Sequence, residues 1–437
     1  MDRLIVVLVV VLAVIAIAQL LRVYELASAL KGKREEIIPE KDNHLNANLW
    51  LVFMVAFYAF FIWLTYNYAG DNFGKGPAAS NVAEDGRWLL NINWAIIVTV
   101  FFLTNTLLFV FSWKYYYREG RKAHWFPHSN KLEMIWTIVP SIVLAVIIIL
   151  GLKTWFNVMG ADANTVDTSK PVAEQAQVVE ITAEQFGFTT RYAGHDNKLG
   201  QSDYKLIGGD NAVGVITTEY IEDALGRFDE KIDTAEVQIK RGGHYLPDWK
   251  VDELEDQIIK FNRLKRRLIA LRSEIAKDTI DWDALAGDDI LAGGELYLVK
   301  GRDYNFTFRS KDVIHSAYFP HFDAQMNMVP GATTYFSFTP TMTTEEMREA
   351  MEDPNFDFVL VCNKICGGGH YGMKAKIIVG TEEGFREWLA GKTTIDGRGF
   401  SDNKADWKYE EGQVIIPMPI AKKEGKEEGA DAETAAM

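Results

Sequence analysis

The chain has 437 residues, which is too long for one compact domain and predicts two or three. Its 46 Lys and Arg stand against 60 Asp and Glu, a net charge of −14 that repels phosphate backbones and argues against a nucleic-acid partner. Cys362 and Cys366 are the only cysteines, which excludes a framework of several disulfides and also covalent c-type haem, which needs CxxCH.

Four apolar runs in the first third of the chain contain no charged residue. Each approaches the roughly 20 residues that cross a bilayer, and Trp or Tyr lies at several ends, as an interfacial anchor would. The runs predict four membrane-spanning helices, at Leu4–Leu21, Leu49–Tyr66, Trp94–Trp113 and Ile135–Leu152.

The connections between these runs differ in basic charge. Five Lys and Arg lie between Trp113 and the fourth run, whereas the connection at 70–88 has two basic residues against three acidic ones. The positive-inside rule makes the former cytoplasmic and the latter external. The small residues at 27–29 could mark the cleavage site of a signal peptide, which would remove the first run. Only if all four spans are retained does the large C-terminal half lie outside. We therefore expect the first helix to be kept.

From about residue 157 the pattern changes to short alternating runs separated by turn residues, which is typical of a β-sandwich or Greek-key barrel. Between about 201 and 294 a charged segment interrupts it. Apolar residues from Leu254 to Ile275 recur there at helical spacing, which predicts an inserted helix. The helix would either pack on the barrel or present a surface to a partner subunit.

The predicted organisation therefore has four parts. Residues 1–45 form an additional helix with a cytoplasmic connection, and 46–156 form three more helices. Residues 157–393 form the β-domain with its insert at about 201–294. Residues 394–437 are an extension, disordered from about 422 because small and charged residues there cannot bury apolar surface.

The segment CNKICGGGHYGM follows an apolar strand and holds Cys362, Cys366, His370 and Met373. Its three consecutive glycines, Gly367 to Gly369, favour a loop that wraps an ion rather than a helix. Thiolate, imidazole and thioether together select a soft metal, copper above all. His315, which ends the run DVIH, is the best candidate for a further ligand from a neighbouring strand.

Three other interpretations of this segment remain open: a disulfide, two buried thiols, and a tetrahedral zinc site with His315 and His370. Met373 favours copper, because zinc has no use for a thioether and a disulfide needs no histidine. Two thiolates argue against a mononuclear blue-copper site and can bridge two coppers, an arrangement suited to electron transfer.

The chain resembles subunit II of the haem-copper cytochrome c oxidases, whose cupredoxin domain carries the binuclear copper centre CuA. Four segments agree in order: LEMIWTIVP, AEQFGFTTRY, DVIHSAYFPHFDAQMNMVPG and CNKICGGGHYGM. The likeness covers roughly residues 91 to 393 apart from the insert. The first two membrane runs and the insert lie outside the family's minimal pattern.

The resemblance implies a set of copper ligands. They are His315, Cys362, Cys366, His370, Met373 and the backbone carbonyl of Lys364. The family usually has Glu at the position of Lys364, and that side chain reaches a magnesium ion at the junction with subunit I. Because an ammonium group only donates and repels a cation, we expect the magnesium site to be lost or altered.

Three further positions match family residues outside the ligand set. Glu133 matches an acidic residue where protons enter an uptake pathway of subunit I, although it could be a plain interfacial carboxylate. Asp312 matches an acidic residue on the face that binds cytochrome c. Phe186 takes the position of the Trp through which electrons enter. Asn327 replaces a common Asp, so the donor surface looks adapted.

The resemblance implies the electron-accepting subunit of a cytochrome c oxidase in a bacterial-type inner membrane, with its CuA domain on the outer face. Cytochrome c would be the donor, and haem in subunit I would receive the electron and support oxygen reduction and proton translocation. The chain would not be catalytic alone. Alternatives are a membrane-tethered copper carrier, a quinol oxidase subunit II, which typically lacks the copper ligands, and nitrous oxide reductase, which the membrane runs disfavour.

Overall fold

The computed structural model describes residues 2–30, 40–72, 76–159, 169–170, 175–194, 196–397, 408–410 and 413–415. The predicted disordered tail and part of the first cytoplasmic connection lie outside these residues. The chain divides into two compact units, one built from the first two helices and the segment Ile92–Ser141, and the other containing the β-sheets.

Four long helices begin the chain, and all four are long and apolar enough to cross a membrane. This confirms the four predicted apolar helices. The helices are α1 (Asp2–Leu30), α2 (Glu40–Asn72), α3 (Asn81–Lys114) and α4 (Asn130–Met159).

Helices α2 and α3 pack together through aromatic rings in the first unit. The Phe61 and Phe101 rings stack with their centroids 4.9 Å apart. The ring centroids of Phe53 and Phe109 are 5.7 Å apart. In hydrocarbon such close packing, rather than water exclusion, drives helix association. Together with Tyr58 and Trp50, these residues join the second run to the third.

The second unit is an all-β domain with short helices and an insert. Its larger strands are β1 (Gln177–Glu184), β2 (Gly187–Tyr192), β3 (Ile290–Gly293), β4 (Glu295–Val299), β5 (Tyr304–Ser310), β6 (His315–Phe319), β7 (Ala324–Met328), β8 (Thr334–Phe338), β9 (Phe358–Val361) and β10 (Lys374–Gly380). Two short strands, β11 (Lys408–Glu410) and β12 (Gln413–Ile415), pair with each other.

The ten larger strands form two five-stranded sheets, ordered β3-β2-β1-β5-β8 and β4-β10-β9-β6-β7. The pairs β1/β5 and β4/β10 are parallel, and the others are antiparallel. Both sheets contribute to one core in which phenylalanines dominate. Phe306 on β5 is fully buried and stacks on Phe338 with centroids 4.9 Å apart. The all-β cupredoxin-like fold predicted for this half is confirmed.

The insert is a helical hairpin rather than a single helix. It consists of α5 (Thr218–Gly242) and α6 (Asp248–Ile275), followed by the short α7 (Trp282–Gly287). The predicted apolar face of α6 buries Leu254, Leu268 and Ile275. Leu268 and Ile275 belong to a core shared with α5 and separate from the sheet core, so this face of α6 packs on α5. The reason is that α5 presents its own apolar stripe to α6.

A buried group of charges ties the start and end of the insert to the first sheet. Arg191 on β2 pairs with Glu180 on β1 at 3.0 Å and with Asp289 at 2.9 Å. Asp289 also accepts from the backbone N–H of Gly200 at 2.9 Å, and Arg191 donates to the Gly200 carbonyl at 2.9 Å. Removing Glu180 would leave the buried guanidinium of Arg191 without the carboxylate charge that it meets at 3.0 Å. The two remaining helices, α8 (Thr344–Met351) and α9 (Glu382–Ala390), lie in the connections around β9 and β10.

Candidate metal centre

The predicted ligands meet at one end of the second sheet. The last residue of β9 pairs with the first of β10, so residues 362–373 form the loop between these strands. The backbone N–H of Cys362 donates to the carbonyl of Met373 at 3.2 Å and closes the loop. Strand β6 runs antiparallel to β9, so His315 at its start lies beside the end of β9.

Five predicted ligand side chains lie close together. The Sγ atoms of Cys362 and Cys366 are 4.0 Å apart. Nδ1 of His315 is 3.9 Å from the Cys362 sulfur, and Nδ1 of His370 is 3.6 Å from the Cys366 sulfur. The Met373 sulfur lies 3.8 Å from that of Cys366. The structure therefore brings all five side chains to the same loop.

The ligand atoms of His315, Cys362 and Cys366 all lie within 4.8 Å of one another, and His370 lies outside this mutually close group. Lys364 contacts the site through its backbone and not through its side chain. Its carbonyl oxygen accepts from the Cys362 thiol at 3.1 Å while its side chain is exposed. This is the backbone atom that the resemblance implies as a ligand.

Both cysteines are free and buried. Their sulfurs are about twice as far apart as in a disulfide. Burial raises the pKa of the Cys366 thiol to about 11, and the adjacent Cys362 adds to the shift. A metal ion would have to displace the proton of such a thiol, because the thiolate is the form that binds metals.

The donor set fits copper. Two thiols, two imidazole nitrogens and a thioether are soft or borderline ligands, and a hard ion such as magnesium prefers oxygen. Met373 is 1% exposed and His315 is fully buried, so the site is shielded from water. The chemistry of a dry, sulfur-rich site suits electron transfer better than hydrolysis.

Asp312 contacts the site through His315. Its Oδ1 lies 2.8 Å from Nε2 of His315, and its Oδ2 accepts from the backbone N–H of Gln185 at 2.7 Å. Partial burial acts to raise the pKa of Asp312, but hydrogen bonds from His315 and from the Gln185 and Val313 amides outweigh it and the pKa is lowered. Asp312 therefore carries a negative charge, and one of its oxygens contacts the His315 ring while the other accepts from the Gln185 backbone.

Phe186 lies on the outside of the ligand loop. The ring is 44% exposed, and a Cβ added to Gly369 would lie 2.5 Å from it. Gly367 has a φ of +144° and a similar clash, with 2.9 Å to the ring. These two glycines are needed for the close approach of the loop to Phe186.

Gln185 is a residue near the site that the sequence did not single out. Its side-chain amide donates to the carbonyl of Cys366. It directly precedes Phe186, but its partner is 181 residues away along the chain, so only the structure reveals the contact.

Known proteins provide an independent comparison. The family model described as cytochrome c oxidase subunit II, transmembrane domain, matches residues 66–154. The alternative cytochrome c oxidase subunit 2 of Bradyrhizobium diazoefficiens is 25% identical, over 74% of this chain and 86% of that protein. The cytochrome c oxidase subunit 2 of Cereibacter sphaeroides is 21% identical, over 72% of this chain and 78% of that protein.

The chain is a subunit of the cytochrome c oxidase subunit II type. The resemblance drawn from the four sequence segments is thereby confirmed, as is the enzyme class. Among solved structures, the periplasmic domain of subunit II of the Bradyrhizobium japonicum cytochrome oxidase overlaps 22% of this chain and 59% of its own, at 22% identity. Its TM-score is 0.18, a value at which the superposition carries no weight.

One predicted residue of this subunit II lies far along the chain from the metal ligands. Glu133 is in the first turn of α4, and its backbone N–H donates to the Ser129 carbonyl at 2.9 Å. Its side chain is exposed. A carboxylate at this end of a helix is stabilised by the helix dipole, which accounts for Glu133 without any proton-transfer role. Its part in proton uptake stays a prediction.

Proposed function

We propose that this subunit II is the electron-accepting subunit of its oxidase, using a binuclear copper centre of the CuA type. The donor would be a cytochrome c, and the acceptor would be haem in subunit I, where oxygen reduction and proton translocation take place. When bound, the copper pair would supply a one-electron redox change shared between two metals. All the ligands would come from this chain.

The observation that carries the proposal is the pair of sulfurs 4.0 Å apart, each with its own imidazole within 4 Å. Two thiolates at that separation can both face two metal ions. Cys362, Cys366, His315, His370 and Met373 would hold the copper pair with their side chains, together with the Lys364 carbonyl. Zinc would not use the Met373 thioether, because its protein ligands are thiolates, imidazoles and carboxylates.

The surroundings of the ligands favour a rigid site. Asp312 fixes the ring of His315, and Gln185 fixes the carbonyl of Cys366. Such supporting hydrogen bonds orient ligands and keep their geometry when the metal changes oxidation state. The burial of His315, Cys366 and Met373 also counts against a copper carrier, which has to expose its metal for transfer.

The charge of the connections supports a location for the domain. The basic segment between α3 and α4 would be cytoplasmic, and the β-domain would then lie on the periplasmic face of an inner membrane. The apolar helices would contact lipid, subunit I and other oxidase subunits. Glu133 would then lie on the cytoplasmic side, where proton uptake begins.

Metal analysis and electron paramagnetic resonance of the purified oxidase complex test the proposal. We expect two coppers in this subunit and a hyperfine pattern from one electron shared by two copper nuclei. Cys362→Ser and Cys366→Ser should each abolish that pattern, because a neutral hydroxyl does not replace a thiolate as a copper ligand. Met373→Leu should change the pattern because it removes the thioether, and Met342→Leu, at a methionine packed against the sheet core, is its control.

Two results would contradict the proposal. A stoichiometric zinc ion would assign the ligands to a structural site. A single copper with a mononuclear signal, transferable to a chelator without loss of fold, would favour the copper-carrier alternative.

A further inference from the structure

Helices α5 and α6 of the insert bury one face against each other and leave the opposite face uncovered. On α5 the uncovered residues recur at intervals of four, three and four positions: Gly226, Glu230, Asp233 and Val237. All four are exposed, and Val237 is 44% exposed. This spacing places them in one line along the helix, as in a seam where two helices pack. We name these four residues the acidic stripe.

The uncovered face of α6 repeats that spacing with basic charge. Its residues are Ile259, Arg263, Arg266 and Ala270, and all four are exposed. Ile259 is 56% exposed. Residues 257–273 contain six Lys and Arg and neither Asp nor Glu, so acids on this part of α6 do not neutralise the charge. We name these four residues the basic stripe.

The charged residues of the two stripes have no partner inside the chain. Other charged residues do join the two helices, since Asp229 pairs with Lys265 and Glu222 pairs with Arg272. In contrast, the two acids of the acidic stripe and the two arginines of the basic stripe make no hydrogen bond or ion pair with any residue that the structure describes. Each stripe therefore presents charge that an oppositely charged surface would stabilise.

The ion pairs between α5 and α6 show how the stripes are aligned along the hairpin. They place Asp229 level with Lys265, and Glu222 level with Arg272. At 1.5 Å per residue, this alignment brings each member of the acidic stripe to within about 3 Å of the level of one member of the basic stripe. The level pairs are Val237 with Ile259, Asp233 with Arg263, Glu230 with Arg266, and Gly226 with Ala270.

The two stripes complement each other across copies of the chain. Within one chain they lie on opposite sides of the hairpin and cannot meet. When α5 of one copy lies against α6 of another, the helices run antiparallel, as they do in the hairpin. Each level pair then joins apolar with apolar, acid with arginine, or glycine with alanine. Copies in the same membrane share one orientation, so they make this contact without sliding along the hairpin.

Gly226 is not explained by packing within the chain. A Cβ added there would meet nothing within 4 Å, and its φ is not in the left-handed region. Glycine in a helix interior is destabilising relative to alanine. Opposite Ala270 of another copy, it lets two helix backbones approach closely. A packed helix from outside the chain accounts for this residue.

We propose that the insert joins this subunit to a second copy of itself, with the acidic stripe of one copy packed on the basic stripe of the next. Different surfaces meet in this contact, so it extends into a row or a ring of copies rather than ending at a pair. Exposed ion pairs are individually weak and are screened by salt. The contact should therefore form among copies concentrated in a membrane and weaken at high ionic strength.

Disulfide cross-linking in membranes that contain the full oxidase complex tests this contact. The two natural cysteines are buried in the ligand loop, so introduced cysteines report on the insert. Gly226→Cys with Ala270→Cys, and Val237→Cys with Ile259→Cys, each place two cysteines at level positions on opposite stripes. Under mild oxidation both variants should give a ladder of dimers, trimers and larger products of this subunit.

The matched controls exchange the same four cysteines between the two variants. Gly226→Cys with Ile259→Cys, and Val237→Cys with Ala270→Cys, each set the two cysteines eleven residues out of register, about 16 Å along the helix. A disulfide cannot form over that distance. Neither control should give the ladder.

Charge reversal tests whether two residues face each other across copies. Added to Gly226→Cys with Ala270→Cys, Asp233→Arg should lower the cross-linked fraction roughly tenfold, because arginines of both copies then meet. Further addition of Arg263→Asp should restore it, because the pair is then reversed but still complementary. Copper content and thermal unfolding are recorded for every variant, so loss of fold is distinguished from loss of contact.

Several results would overturn this proposal. The level variants could give no cross-linked product, or no more than the exchanged controls. Products that stop at dimers would mean that identical surfaces meet. Cross-linking of the subunit to a different protein would assign the stripes to another partner. A cross-linked fraction that Asp233→Arg does not lower, or that Arg263→Asp does not restore, would show that these residues do not face each other.

Discussion

Nε2 of His315 lies 2.8 Å from Oδ1 of Asp312, while Nδ1 of the same ring faces the Cys362 sulfur at 3.9 Å. The pKa of Asp312 is lowered, so the carboxylate is the hydrogen-bond acceptor and Nε2–H is the donor. A neutral imidazole then has its lone pair on Nδ1, directed at the sulfur-rich site. Asp312 thus sets the tautomer of a candidate metal ligand. The role of Asp312 in the docking of cytochrome c stays a prediction.

Asp312→Ala should weaken copper binding by roughly 10–100-fold, the usual effect of losing a residue that orients a ligand histidine. The ring of His315 would be free to rotate or to change tautomer. Copper retention during dialysis against a chelator measures the affinity, and the optical spectrum reports the geometry. Asp312→Asn keeps a hydrogen-bond acceptor and should retain more copper than the Ala variant. Equal copper retention and identical spectra for Asp312→Ala and the unmodified protein would contradict this assignment.

Lys364→Ala should leave the copper content unchanged. The atom that faces Cys362 is the backbone carbonyl, at 3.1 Å, and the ammonium is exposed. Lys364→Glu restores the family's usual carboxylate and should increase magnesium or manganese bound to the complex, because oxygen ligands suit these ions. Metal analysis of both variants measures the two effects. Loss of copper from Lys364→Ala would mean that the side chain supports the site.

The membrane helices and the ligand loop were the parts of this molecule that were easiest to predict from the sequence. An uncharged apolar run is a property of adjacent residues, and the residues from Cys362 to Met373 are close in sequence as well as in space. His315 was harder to predict as a ligand, because its place beside the loop depends on the antiparallel pairing of β6 with β9. A neighbouring strand could be expected, but the pairing itself could not be derived.

Helix α5 was missed although its signal is present. Its buried residues recur at helical spacing, from Ile221 through Phe228 and Ile232 to Ala235, and Thr217 caps its start. The many acidic residues between them obscured the pattern. The buried Arg191 is different, because its partner Asp289 is 98 residues away and nothing local indicates the pairing. Contacts of that length need the three-dimensional fold.

Tyr58→Phe should weaken the packing of α2 on α3 by about 0.6 kcal/mol, the average for a hydrogen bond between membrane helices. The Tyr58 hydroxyl lies 2.9 Å from Oγ1 of Thr106 and 3.2 Å from the Phe102 carbonyl. Unfolding of the full-length protein by added sodium dodecyl sulfate measures the loss. Tyr66→Phe is the matched control on the same helix, because Tyr66 is 88% exposed. Equal stability of the two variants would mean that the aromatic contacts alone hold this pair.

The buried charges that tie the insert to the first sheet make folding stability depend on pH. Arg191 faces two carboxylates, those of Glu180 and Asp289, and all three side chains are almost fully buried. Burial raises the pKa of Asp289 to about 8, although Arg191 and the Gly200 amide act in the opposite direction. The Oδ1 atom of Asp289 is buried and has no hydrogen-bond partner among the described residues, whereas Oδ2 receives Arg191 and Gly200. The folded chain therefore favours the protonated form of this carboxyl.

Asp289→Asn should flatten the dependence of stability on pH. In the unfolded chain this carboxyl would ionise near pH 4, but in the folded protein it keeps its proton to about pH 8, so the folded state binds more protons between these values. Stability contributed by this group is present below about pH 4 and is lost as pH rises to 8. The Asn variant is neutral throughout and keeps an oxygen acceptor for Arg191 and Gly200. Thermal unfolding of the full-length protein across this range, with the exposed Asp256→Asn as the control, measures the difference. If Asp289→Asn loses stability with rising pH as steeply as the control, Asp289 is ionised in the folded protein and the buried group is a fully charged network.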